Sequence, residues 1–137
     1  MSDHNALENW LKGYITGNGG VAGTVHVRQG ENLLLGAAVN IPPPVIEKVQ
    51  TVPSGKGMAG LAMERDAPVQ TCNLKDDKTG DVRPGAKAVS ANAAAAIPIH
   101  DGAGNVRGVV GIAFMEEREI GEEELSKLKK QAENAPV

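Results

Sequence analysis

Apolar residues along this chain follow two spacings, and the densest block lies at residues 91–115, ANAAAAIPIHDGAGNVRGVVGIAFM. Two apolar runs flank Asp101, Gly102, Ala103, Gly104 and Asn105, which is the composition of a β-hairpin with a five-residue loop, expected at the centre of a sheet. In the second run Val106, Gly108, Val110, Ile112 and Phe114 alternate with Arg107, Val109, Gly111, Ala113 and Met115. A strand apolar on both faces needs cover on both. The first run is nearly all alanine, so a neighbouring layer or a ligand can come very close.

Helical spacing appears at the two ends. Leu7, Trp10, Leu11, Tyr14 and Ile15 fall at i, i+3, i+4, i+7 and i+8 behind Asp3 as N-cap, and Gly17, Asn18, Gly19 and Gly20 end the pattern, giving a helix over about 3–16. The second terminal helix, about 121–133, carries Glu122, Glu123 and Glu124 at its start and Lys127, Lys129 and Lys130 near its end, which suits the helix dipole. Its apolar set, Leu125, Leu128 and Ala132, is narrow. Between the ends, 24–28 alternates and turns over 29–32 into 33–39, a second hairpin. Three prolines at 42–44 limit the next segment to a short helix over about 45–49, Pro53 to Gly57 break the chain, and 58–65 (MAGLAMER) reads as a short helix leading to a strand over 69–74. Residues 75–90 are polar and without period, the character of a functional loop or lid. The expected fold is α+β: a central antiparallel sheet of five to six strands, with terminal helices on one face and the short helices and long loop on the other.

Composition narrows the function classes. At 137 residues and 14.2 kDa the chain is read as one domain over 1–137, large enough for a core without metal or disulfide support. A net charge of −3 gives no basic footprint, so neither nucleic acid nor a membrane is expected as partner. The single cysteine and an N-terminus without signal-peptide character point to the cytoplasm. Trp10, Tyr14 and Phe114 are the only aromatics, so the core must be built from Ala, Val, Leu, Ile and Gly.

Three segments give the chain a family likeness. VPSGKGMAGLAMERDAPVQTCNL (52–74), the apolar strand ending Ile97-Pro98-Ile99 followed by a loop and VRGVVGIAF, and the acidic start of the terminal helix together resemble the GAF family of small-molecule sensor domains, over about residues 6–132. The resemblance implies a pocket in front of the sheet, floored by Asn92, Ala94, Ala96, Val110 and Ile112. Its roof would be Met58, Leu61, Met63, Asp76, Asp77 and Ser90, with Cys72 and Asn73 at the edge. It also implies an unidentified small-molecule ligand, a homodimer through Leu7, Trp10, Leu11, Tyr14, Leu125 and Leu128, and an effector protein in trans.

The same residues bear on specific chemistries. The cyclic-nucleotide signature of the family is not matched, because Leu74 follows Asn73 and a purine would find few aromatics to stack on. A bilin would need aromatic and His neighbours around Cys72. Free methionine-R-sulfoxide reductase, a lone GAF domain of similar size, needs a resolving thiol and a carboxylate, whereas this chain has one thiol and reads Ser90-Ala91-Asn92-Ala93 where the family has Ser-Glu. His4, His26 and His100 do not cluster and are read as surface or edge residues, without metal spacing. Gly55-Lys56-Gly57 before a helix is read as a helix-start turn, since the rest of a phosphate-binding loop is missing. The expectation is a non-catalytic sensory or regulatory domain with no cofactor and no metal. The alternatives are an interaction module whose pocket has closed on the alanines, and an atypical redox enzyme using Cys72.

Overall fold

Strand pairing begins locally and is completed across the length of the chain. In the computed structural model, which describes residues 3–41, 43–71, 93–115 and 120–136, strands β1 (Ala22–Gln29) and β2 (Asn32–Val39) form one hairpin and β5 (Ala93–His100) and β6 (Val106–Phe114) another. The two hairpins join through β1 and β6, from Ala22 opposite Ala113 to Val27 opposite Gly108. Short edge strands β3 (Thr51–Pro53) and β4 (Val69–Thr71) complete an antiparallel sheet in the order β3-β2-β1-β6-β5-β4. The middle is therefore the β1–β6 pair, with the alanine-rich β5 one place out. Strand β3 lies where the sequence suggested a break. Val52 pairs with Leu33 and is buried, while Pro53 sits on the outermost strand, where a missing N–H is tolerated.

Each face of the sheet is covered by helices. Helix α1 (Asp3–Gly17) puts Leu7, Leu11, Tyr14 and Ile15 onto Val25, Ile97, Ile99, Val110, Ile112 and Phe114, with Leu128 and Ala132 of the last helix, α4 (Glu122–Ala132), in the same cluster. The Tyr14 hydroxyl donates to the Leu128 carbonyl at 3.0 Å, and burial raises its pKa. Asn18 donates to the Tyr14 carbonyl at 2.8 Å and to Gln131 Oε1 at 2.6 Å, tying the end of α1 to α4. Leu7, Leu11, Tyr14 and Leu128 are thus taken up within the chain; only Trp10 and Leu125 of the expected contact stripe stay partly exposed.

On the opposite face lie α2 (Pro43–Lys48) and α3 (Gly57–Arg65). Helix α2 starts at Pro43 rather than Val45, since proline is tolerated in a first helical turn. Helix α3 seats Ala62 and Met63 on Leu33, Val52, Val69, Ala96, Val106 and Val109. Gly60 lets α3 approach this closely, because a Cβ there would stand 2.4 Å from the Pro53 carbonyl oxygen. The Gln70 side chain exchanges two hydrogen bonds with the Ile120 backbone, at 3.1 and 2.9 Å, and so fixes the entry to α4.

At the end of β5, His100 bridges the two helical layers. Its Nε2–H donates to Asp66, the left-handed C-cap of α3, and its Nδ1–H to Glu133, the C-cap of α4, at 3.0 Å. Hydrogen bonds to Asp66 and then to Glu133 hold the imidazolium above the usual histidine pKa. A raised pKa in the folded state contributes stability that is complete below the unfolded value, about 6.5, and is lost as pH rises through the folded value. The wild-type chain is therefore expected to lose denaturation free energy from about pH 6.5 upward more steeply than His100→Gln. Parallel pH profiles in chemical denaturation would contradict the bridge.

Candidate functional site: an apolar cavity beneath α3

Side-chain size decides where space is left in this fold. On the α1 side the sheet carries Ile97, Ile99, Val110, Ile112 and Phe114, all buried, whereas facing α3 the same two strands offer Ala94, Ala96, Gly111 and Ala113. The second set fills less of the layer and leaves space beside Met58 of α3. A cavity of about 140 Å³ results, floored by those small residues with Thr24 and His26 of β1. Ile41, Val49 and Val52 form its side, and Lys56, Gly57, Met58 and Ala59 its roof. At Gly111 a Cβ would meet Thr24 Oγ1 at 3.2 Å, so any side chain there would grow into this space.

Among the described lining residues the walls are aliphatic, and the polar groups are few. His26 is 3% exposed although it sits on a strand whose alternation suggested a surface face. It lies in the middle of the sheet beside a bulge, where Val25 pairs with Ala37 but His26 with Leu35, leaving Gly36 as the extra residue. Its Nε2–H donates to the Val49 carbonyl at 2.8 Å. Since a carbonyl can only accept, the proton is on Nε2 and Nδ1 is an acceptor, buried and without a partner. Burial depresses the pKa, against the opposing pull of the Val49 bond, so the ring stays neutral near pH 7. Lys56 is exposed at the rim. It is the N-cap of α3 but supplies no side-chain cap, so the first-turn N–H groups beside the cavity have neither an intrahelical acceptor nor a cap.

The residues singled out from the sequence divide into three groups. Met58, Ala94 and Ala96 line the cavity, and Ile112 borders it although its side chain belongs to the cluster on the α1 side. Leu61, Met63 and Val110 do not: Met63 and Leu61 pack with Val69 and Val106, and Val110 points to the α1 side. One residue of register separates Val110 from Gly111, and in a strand that reverses the face. Cys72, Asn73, Asp76, Asp77, Ser90 and Asn92, with the 75–90 loop, lie outside the described residues. Thr24, His26, Val49 and Lys56 were missed. The signal for His26 was the position of β1, which a polar residue can occupy inwardly only when both neighbouring strands and a cover are known. The reading of His26 as a surface or edge histidine is thereby corrected.

The chain belongs to the GAF domain family, whose model matches residues 11–135. No curated protein matches it by sequence. Its fold is similar to the GAF domain of the Acinetobacter phosphoenolpyruvate-protein phosphotransferase, with TM-score 0.75 and 18% identity over 99% of this chain and 82% of that one. It is also similar to the A. aeolicus nlh2 GAF domain in an inactive state (TM-score 0.70, 21% identity, 98% and 80% covered). A third similar structure is the type II free methionine-R-sulfoxide reductase from Thermoplasma acidophilum (TM-score 0.72, 14% identity, 94% and 89% covered). At these identities the likeness establishes the fold. Among the described residues no group of His, Cys, Asp and Glu is placed to hold a metal, and no helix is long and apolar enough to cross a membrane.

Proposed function

We propose that this chain is a non-catalytic sensory or regulatory module that binds a small, largely apolar molecule between the sheet and α3. The observation that carries this is the cavity over Ala94, Ala96, Gly111 and Ala113, a void of about 140 Å³ in a fold whose other face is filled by Ile, Val and Phe. The space opens to solvent and is lined almost wholly by apolar atoms, so a small apolar molecule entering it would remove that surface from water. Occupation would bear on Met58 and so on α3. From there Asp66, His100 and Glu133 form a hydrogen-bonded route to α4, on the far face of the sheet. A ligand that favours one position of α3 would in this way bias the terminal helices.

The reductase reading has less support. Reduction of a sulfoxide by a thiol leaves a sulfenic acid that a second thiol must resolve, and Cys72 is the sole cysteine of the chain. The sensory reading also includes a homodimer through the outer sides of α1 and α4, from which an effector in trans would take the signal. Trp10, stacked on Tyr14 at 4.8 Å and partly exposed, and Leu125 are the apolar groups those sides still offer.

Thermal-shift and calorimetric titration with neutral probes of about six non-hydrogen atoms, such as isobutyl methyl ether and benzene, tests the cavity. Binding is expected to the wild-type chain and to be lost in a folded Gly111→Val variant, with no consumption of methionine-R-sulfoxide in the presence of a thiol. Equal binding by the variant, or turnover of the sulfoxide, would contradict the reading. Sedimentation tests the dimer: the wild-type chain is expected to be dimeric and Trp10→Asp monomeric, and a monomer in both rejects it.

A further inference from the structure

The floor of the cavity narrows the class of its ligand, an inference that rests on the ligand-binding reading above. An apolar cavity of about 150 Å³ holds one benzene, so about 140 Å³ takes a molecule of roughly six non-hydrogen atoms. Two polar side chains stand on the floor, Thr24 and His26, and they differ in reach. The unpaired Nδ1 of His26 is sealed inside the protein. Thr24 is only partly buried although β1 lies in the middle of the sheet, because its neighbours on that face, Ala38 of β2 and Gly111 of β6, are too small to cover it. A Cβ at Gly111 would stand 3.2 Å from Thr24 Oγ1, which puts this oxygen on the cavity side of the sheet.

Among the described residues the Thr24 hydroxyl has no hydrogen-bond partner, and unlike His26 Nδ1 it is not shut away from solvent. An open hydroxyl is hydrogen-bonded by water. A ligand that takes the place of that water must offer a hydrogen-bonding group of its own or leave the hydroxyl desolvated at a cost. A charged group answers this poorly. A carboxylate on the floor would leave water with only the exposed Lys56 ammonium at the rim to offset it, and an ammonium would meet no carboxylate among the described lining residues. A neutral oxygen accepts from the Thr24 O–H without that cost, and an aliphatic body suits the rest of the lining.

We propose that the cavity selects a small neutral aliphatic molecule with one oxygen function, an alcohol or a ketone, whose oxygen accepts a hydrogen bond from Thr24 and whose carbon body lies on Ala94, Ala96 and Gly111 beneath Met58.

Probes of one size and outline test this: 2,3-dimethylbutane, 3-methylbutan-2-ol, 3-methylbutan-2-one and 2-methylpropanoate. Nuclear magnetic resonance titration of the full nitrogen-15-labelled chain, followed at the amides of Ala94, Ala96 and Gly111, both locates binding and gives affinities. The alcohol or the ketone is expected to bind there. Thr24→Val keeps the side-chain outline on a strand and removes the hydroxyl; it is expected to weaken the oxygen compound about fivefold to tenfold and to leave the hydrocarbon as tight or tighter. Thr24→Ser is expected to keep the wild-type order. In the wild-type complex the methyl group beside the ketone carbonyl is expected to show Overhauser contacts to Thr24, a readout that stands should Thr24→Val fail to fold. An unchanged ratio of oxygen compound to hydrocarbon affinity in Thr24→Val, absence of the Thr24 contacts, or tighter binding of 2-methylpropanoate than of the alcohol and ketone overturns the proposal. If 2,3-dimethylbutane or benzene binds but neither oxygen compound does, and Gly111→Val blocks that binding, the oxygen assignment fails and the cavity reading survives; if no probe binds, both fail.

Discussion

A sheet buried on both faces must satisfy two layers at once, and the β1–β6 pairing is where this chain meets that demand. The pairing joins the hairpins and sets which residues of the two middle strands face which helices. With Val25 opposite Val110 and Thr24 opposite Gly111, Val25, Val110, Ile112 and Phe114 go to the α1 and α4 side, while on the other side Val109 packs under α3 and Gly111 and Ala113 line the cavity. A register shift of a single residue would turn one hairpin over relative to the other, for example burying Thr24 and His26 against α1 while β6 keeps its present face. The partners of the β1–β6 pairing are far apart in sequence, so closing it costs more chain entropy than closing either hairpin. The two local hairpins, both visible in the sequence, supply the strands it joins.

The two helical layers differ in kind. Against α1 and α4 the core is a continuous apolar cluster with few polar groups, among them the Tyr14 and Asn18 contacts that tie the helices together. Against α3 it is interrupted: Ala62 and Met63 pack on a buried cluster and Gly60 brings the helix down onto Pro53, whereas beside the partly buried Met58 the alanine and glycine floor leaves a cavity. Helix α3 is thus held at its Met63 end and open at its Met58 end. Its C-cap, Asp66, reaches His100 and through it Glu133, so the held end of the roof helix is also joined to α4.

Much of this architecture was legible in the residues. Two periodicities, 3.6 and 2, located the terminal helices and both hairpins, and the spacing of Leu7, Leu11, Tyr14 and Ile15 marked a face that is indeed buried. The unpaired length of sequence between the prolines and Gly57 hid β3, because a three-residue edge strand whose last residue is proline has no period of its own. Likeness to the GAF family came from residues 52–74, the strand ending Ile97-Pro98-Ile99 with VRGVVGIAF after it, and the acidic start of the terminal helix, and the family model agrees over residues 11–135. The site was less legible. An apolar strand such as 106–114 gives no clue to which alternate residues face the ligand side, so Val110 and Gly111 could be told apart only once β6 was paired with β1. His26 was hidden for the same reason. Alternation on β1 marks Thr24 and His26 as one face, but whether water or α3 covers that face is a matter of tertiary packing.

The central claim is that small residues on one face of the sheet leave a space that a small apolar molecule can fill. A crystal pressurised with xenon tests it most directly, since xenon enters dry apolar cavities without needing the right functional groups. The account predicts a xenon peak between Gly111 and Met58 in the wild-type chain and none in Gly111→Val. A wild-type crystal in which Met58 has settled onto Ala94 and Ala96, with no xenon beneath α3, would contradict it.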